Sequence, residues 1–84
     1  MKQIINGVER SVVTADNLSD FKASDIDDTS NPSFYGFLNK GGSYYILRMD
    51  SSANTFRYFR DSSNYEGGWV DRKNKSYQIY SIVF

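Results

Sequence analysis

The sequence predicts a mainly β protein, built as a small antiparallel meander or sandwich-like sheet of four to six strands, with one short helix in the N-terminal third. Aromatic residues make up 17% of the chain, whereas all hydrophobic residues together reach only 39%. Turn-forming residues divide the second half into short segments in which apolar and polar positions alternate. Because Tyr and Phe favour strands and bury large areas, we expect an aromatic core carried by strands.

The strands are predicted from residue 34 onward, between turns rich in Gly, Asn, Asp and Ser. Asn39–Gly42 is a hairpin turn, and the long polar stretch from Asp61 to Gly68 is a loop that presents Trp69. Alternation places Tyr45, Leu47 and Met49 on one face of a strand, and likewise Phe56 and Tyr58 on one face of the next. The predicted strands are Phe34 to Leu38, Ser43 to Met49, Thr55 to Arg60 and Ser76 to Phe84.

The N-terminal third gives weaker patterns. Asn6-Gly7 suits a tight hairpin, and Arg10 to Val13 suits a fifth strand. Apolar residues at helical spacing between Thr14 and Asp28, with Ser19 as a possible N-cap, predict the short helix. Asn31-Pro32 then interrupts regular structure.

The 84 residues fit one domain, whose two parts differ in charge. Residues 1–31 carry three basic and six acidic residues, and residues 32–84 carry seven basic and four acidic ones. Thirteen of the fourteen aromatic residues also lie in residues 32–84. We therefore expect an acidic N-terminal arm followed by an aromatic-rich β body. The arm should pack partly on the basic surface of the body, either within one chain or across a subunit boundary, and its apolar anchors are Ile4, Ile5, Leu18, Phe21 and Ile26.

The residue types argue against catalysis. The chain contains no Cys and no His, and so lacks thiol nucleophiles and the commonest general base. Oxygen donors from Asp25 to Asn31 resemble a calcium loop, but Ser30 stands where such a loop needs Gly, and Gly36 where it needs Glu. A solvated acidic turn is the better interpretation. We expect no enzyme activity, no cofactor and no metal.

Aromatic residues interleaved with basic ones mark the candidate contact surface for a partner or ligand. Such residues can stack on bases or on sugar rings, but in a body poor in aliphatic residues they more often form the core. Trp69 follows Gly67-Gly68, so we expect its indole to pack against aromatic residues of the body. The candidate contact residues are Arg57, Tyr65, Trp69, Arg72, Lys73 and Lys75.

The spacing of aromatic residues over residues 31–84 resembles small modules in virion proteins of tailed bacteriophages. The matching segments are Asn31 to Leu38, Gly42 to Arg48, Phe56-Arg57-Tyr58, Ser63-Asn64-Tyr65, Trp69, Arg72 and Tyr80 to Phe84. The resemblance implies a non-enzymatic structural or attachment role on a virion, as a decoration, connector, baseplate or fibre-associated module.

From this resemblance we expect a structural protein that acts through assembly contacts with other virion proteins or with itself as a homo-oligomer. One alternative is a module on the virion that binds a glycan or receptor, and a second is a small nucleic-acid-binding regulator. The start of the chain lacks the apolar stretch of a signal peptide, and no apolar run is long enough to span a membrane. We therefore expect synthesis in the host cytoplasm, a final location in the virion, and no membrane partner.

Overall fold

A four-stranded antiparallel sheet forms the centre of the fold. The structure is a computed structural model and describes residues 18–84. Each strand pairs with its neighbour in the chain, which confirms the predicted meander. The strands are β1 (Lys22–Asp27), β2 (Ser33–Leu38), β3 (Tyr44–Asp50) and β4 (Thr55–Asp61).

Short helical segments precede the first strand and follow the last strand in the sequence. A 3-10 turn, Leu18–Asp20, precedes β1, and a second one, Arg72–Asn74, follows the first α-helix. The α-helices are α1 (Tyr65–Val70) and α2 (Tyr80–Val83). No helix within residues 18–84 is long and apolar enough to cross a bilayer.

The turns follow from local hydrogen bonds. In the β2–β3 turn the Gly42 N–H donates to the Asn39 carbonyl at 3.2 Å, and Gly42 adopts a φ of 94° that its missing Cβ permits. In the β3–β4 turn the Asp50 carboxylate accepts bonds from the Ser52 and Ala53 N–H groups at 3.0 and 3.2 Å. The β1–β2 turn contains a cis peptide bond between Asn31 and Pro32.

The strand register gives the sheet two distinct faces. Residues paired across antiparallel strands lie on the same face, so alternate pairs define each side. One side, here the covered face, lies under α1 and the segment that follows it, and its centre is Tyr44 and Ile46, which are 1% and 0% exposed. The covered face comprises Lys22, Asp25, Asp27, Phe34, Gly36, Leu38, Tyr44, Ile46, Arg48, Asp50, Thr55, Arg57, Phe59 and Asp61.

Helix α1 forms despite two glycines that disfavour a helix interior. Tyr65 and Trp69 are one turn apart, so their rings lie side by side on one face of α1, with centroids 6.4 Å apart. A Cβ at Gly68 would overlap the Tyr44 side chain, which shows how closely the helix approaches β3. The predicted loop up to Gly68 is therefore wrong in its last part, because close packing on the sheet favours a helix there.

The predicted C-terminal strand, Ser76 to Phe84, is also wrong. Only Gln78 pairs with the sheet, exchanging backbone hydrogen bonds of 2.7 and 2.9 Å with Tyr58. The chain then turns into α2, where Tyr80 and Phe84 both pack on the Tyr58 ring with centroids 5.7 Å from it. Residues four apart meet the same neighbour in a helix but not in a strand.

The helix predicted between Thr14 and Asp28 is wrong over its described part. A 3-10 turn occupies Leu18–Asp20, and Lys22–Asp27 forms edge strand β1. Backbone pairing with β2 stabilises this polar segment, with an irregularity between Ala23 and Asp25. Ile26, predicted as an apolar anchor, is 61% exposed. The hairpin at Asn6-Gly7, the strand from Arg10 to Val13 and the anchors Ile4 and Ile5 lie outside the described residues.

Candidate interaction surface

Tyr65 and Trp69 belong to the core of the covered face. Tyr65 is 9% exposed, and its ring meets the Tyr44 ring edge-on with centroids 5.2 Å apart. Trp69 is half-buried against the same cluster, as expected for its indole. The Tyr65 hydroxyl donates a 2.6 Å hydrogen bond to the Asp25 carboxylate, and burial, followed by this bond, raises the pKa of Tyr65 to about 12.

Arg72 joins three parts of the fold. Its Nε and Nη2 atoms donate to Oδ2 of Asp27 on β1 at 3.1 and 2.7 Å, and its Nη1 atom donates to the Trp69 carbonyl at 2.9 Å. The guanidinium also lies 4.6 Å from the centre of the Trp69 ring. The hydrogen bond from Arg72 lowers the pKa of Asp27 below its usual value of 3.8. Part of the acidic segment therefore contacts the basic body within one chain.

The other basic candidates occupy different places. Lys75 lies 3.8 Å from the carboxylate of Asp71, and its Nζ atom is 4.9 Å from the centre of the Phe59 ring. Arg57 is half-buried on β4, and Lys73 is exposed on the second 3-10 turn. The structure thus places Tyr65, Trp69 and Arg72 together in a packed cluster, and not on an exposed platform.

The opposite side of the sheet, here the open face, is the stronger candidate for contact with a partner. One row of paired residues crosses all four strands, from Ile26 through Tyr35 and Leu47 to Tyr58. The whole open face comprises Ala23, Ile26, Ser33, Tyr35, Phe37, Tyr45, Leu47, Met49, Phe56, Tyr58 and Arg60.

Described residues cover only one end of the open face. The Phe21 and Phe84 rings both pack on Tyr45 with centroids 5.2 Å away, and Tyr80 packs on Tyr58. Away from these contacts, Ile26 on β1 and Phe56 on β4 are 61% and 56% exposed. The open face therefore has apolar surface on its two edge strands, and exposed apolar surface is typical of a contact with another protein.

The contacts at Tyr65 and Arg72 include aromatic packing, hydrogen bonds and one ion pair. Within residues 18–84, no group of three or more metal-ligating side chains comes together. Asp25 and Asp27, the first donors of the calcium-like loop, are hydrogen-bonded to Tyr65 and Arg72.

The sequence and the structure were compared with known proteins. No protein-family model, curated protein or solved structure matches the chain.

The sequence contains the signal for the open face, although the candidate residues chosen from it lie elsewhere. The alternation that places Tyr45, Leu47 and Met49 together is correct, as is the pairing of Phe56 with Tyr58 on one face. Arg57, Tyr65 and Trp69 were instead chosen because basic and aromatic residues are neighbours in the sequence. All three lie on or against the covered face. Which face residues 18–84 leave uncovered depends on where α1 packs, and that contact is long-range.

Proposed function

We propose that this protein is a non-enzymatic structural protein that works by protein–protein contact, and that its open face packs on a second copy of the chain. The observation that carries the proposal is the exposure of Ile26 and Phe56 on a largely apolar sheet face. Covering such a face with a partner would contribute about 25 cal/mol of favourable free energy for each Å² of apolar surface buried.

A second copy is the occupant that the chemistry favours. Two identical sheet faces can pack about 10 Å apart in a two-fold arrangement, in which each residue contacts the same patch of the other copy. The formal net charge of the chain is zero, so no overall repulsion opposes self-association. On the open face only Arg60 is charged, at the end where Phe84 lies beneath its guanidinium at 5.1 Å.

The size of the open face points to a repeated part of a larger assembly. Four strands about 4.8 Å apart and six or seven residues long present roughly 400 Å² of projected area. A stable stand-alone interface buries about 800 Å² on each partner. A contact of this size is therefore weak by itself and gains strength when several such contacts form together.

A tailed-phage particle is the assembly that we propose, on the basis of the aromatic spacing over residues 31–84. Tyr65 is buried and Trp69 is stacked within the core, which supports a structural role over a glycan-binding platform. Both proposed alternatives need aromatic rings that a ligand can reach, and the rings available for this lie on the open face.

Particle composition tests the proposal. Intact particles are purified on a density gradient from the cells that make the protein, and its copy number is measured by quantitative mass spectrometry. We expect a fixed copy number that is retained after a high-salt wash, because an apolar contact is not screened by salt. Absence from intact particles, with the protein present in the same lysate, contradicts a virion role.

A further inference from the structure

A small pocket at the edge of the covered face contains two basic side chains, Arg48 and Lys73, that form no salt bridge within residues 18–84. It lies where β2 begins, at the end of the sheet away from the β2–β3 turn, and has a volume of about 260 Å³. Phe34 and Pro32 provide apolar walls, and Tyr77 lies against the guanidinium of Arg48, with 5.0 Å from its Cζ to the ring centre. The lining residues are Ser30, Asn31, Pro32, Phe34, Arg48, Lys73 and Tyr77.

Arg48 is the central feature of this pocket. Its Nε atom is shielded from water and has no hydrogen-bond partner. A buried donor without a partner is costly, and a charged one more so, which is why such groups in native proteins are normally paired or bind an ion. The Tyr77 ring fixes the guanidinium in position, while the Tyr77 hydroxyl donates elsewhere, to the Arg72 carbonyl at 2.8 Å.

The surroundings of Arg48 carry an excess of positive charge. Arg57 lies directly opposite on β4, and like charges in that position repel. Lys73 lines the pocket, and within residues 18–84 neither it nor Arg48 or Arg57 forms a salt bridge. The nearby carboxylate is Asp50, whose Oδ1 accepts bonds from Asn31, Ser52 and Ala53. Asp50 interacts electrostatically with Arg48 but is not within salt-bridge distance of it, and Asp27, in the same row of the sheet, is paired with Arg72.

We propose that this pocket binds an oxyanion, a phosphate or carboxylate group, through Arg48 and Lys73, with the Ser30 hydroxyl as a neutral donor. Guanidinium groups suit both anions because their N–H donors match pairs of oxygen atoms. The anion would pair with the positive charges of Arg48 and Lys73 and offset the repulsion between Arg48 and Arg57. The open face is on the other side of the sheet, so this site stands or fails independently of self-association.

The test is an NMR titration of the full chain at constant ionic strength, in which the Arg48 Nε–H and backbone amide signals are followed. Inorganic phosphate and acetate are the two probes. The probe that binds more tightly shows whether the pocket prefers a phosphate or a carboxylate group. We expect saturable shifts at the pocket, with a Kd below about 10 mM for at least one probe. Lys73→Met and Arg48→Met should each weaken binding about tenfold.

Lys40→Met is the matched control, because Lys40 is exposed in the β2–β3 turn at the opposite end of the sheet. It removes the same charge and should leave the Kd unchanged. If Arg48→Met fails to fold, Lys73→Met decides alone, since Lys73 is exposed and outside the core. Shifts that do not saturate with either probe overturn the proposal, as does an equal loss of affinity in Lys73→Met and Lys40→Met.

Discussion

The Arg72 guanidinium and the Asp27 carboxylate, 45 residues apart in the chain, form a hydrogen-bonded ion pair with an N–O distance of 2.7 Å. This pair ties edge strand β1 to the segment behind α1, because Arg72 also donates to the Trp69 carbonyl. The same side chain therefore links the most acidic part of the described chain to the aromatic core. Its loss would affect β1 and α1 together.

Acid should weaken the fold through Asp27. Arg72 holds the pKa of Asp27 below 3.8, so the carboxylate stabilises the folded state at pH values above its ordinary pKa in the unfolded chain. That contribution is lost as the pH falls below about 4 and through the lowered pKa of the folded state. We expect Asp27→Asn to be less stable than wild type at pH 7 and to lose less stability on acidification, as measured by urea unfolding across pH. Asp28→Asn, which changes an exposed neighbouring carboxylate, should retain the wild-type dependence of stability on pH. The same dependence in all three proteins would show that the Asp27–Arg72 pair contributes nothing to stability.

Gly36 should not tolerate a side chain, because a Cβ there would overlap the Tyr65 hydroxyl and lie 3.0 Å from the Trp69 ring. We expect Gly36→Ala to cost about 2–3 kcal/mol of unfolding free energy. Tyr65→Phe removes that hydroxyl together with its bond to Asp25. The double variant should therefore be more stable than the sum of the single effects predicts, by about 1 kcal/mol in urea unfolding.

Gly41→Ala is the control for this cycle. A Cβ at Gly41 would meet only the Asn39 side chain, at an ordinary 3.6 Å, so the change should stay within about 0.5 kcal/mol. Strict additivity of Gly36→Ala and Tyr65→Phe would be inconsistent with close packing between these two residues.

Trp69→Ala should be strongly destabilising. The indole packs on Tyr65 and under Arg72, and truncation of a core Trp costs about 3–5 kcal/mol, so we expect about 3 kcal/mol for this half-buried ring. Thermal unfolding followed by circular dichroism should show a Tm more than about 10 °C lower. Val70→Ala, on the same helix but 80% exposed, should change the Tm little. A Trp69→Ala protein whose Tm lies within a degree or two of the wild-type value would show that the indole does not contribute to the core.

Alkaline conditions should destabilise the fold through the buried tyrosines. Burial raises the pKa of Tyr65 to about 12 and also raises that of Tyr77. The unfolded chain loses phenolic protons near pH 10, so stability should fall between about pH 10 and 12. Phenolate absorbance should show a late component near pH 12 that Tyr65→Phe reduces. A single titration step near pH 10 in the folded protein would contradict the buried environment of Tyr65.

The sequence was sufficient for β2, β3 and β4, because their alternation and their turns are local signals. Strand β1 was missed because its residues, Lys22–Asp27, show no apolar alternation. What fixes it is distant: backbone pairing with β2, and the bonds that Asp25 and Asp27 accept from Tyr65 and Arg72. Four of these six residues are polar, and no local pattern among the six can predict those partners.

The two α-helices were missed for a different reason. Glycines in α1 and β-branched residues in α2 argue against helices on propensity alone. A local signal was nevertheless present, since Tyr65 with Trp69 and Tyr80 with Phe84 are aromatic pairs at helical spacing. Neither helix propensity nor aromatic spacing predicts which side of the sheet is exposed. That side is determined by the packing of α1 on the covered face.

Self-association through the open face is tested most directly by the molar mass in solution. Light scattering is measured across protein concentrations for wild type, Phe56→Lys and Val70→Lys. Both variants add a charge at an exposed apolar position, but Phe56 is on the open face and Val70 on α1. We expect the wild-type and Val70→Lys masses to rise from the monomer value of 9.7 kDa towards a dimer, while Phe56→Lys stays monomeric. A wild-type protein that remains monomeric up to about 1 mM, or the same mass curve for both variants, would contradict the packing of this face on a second copy.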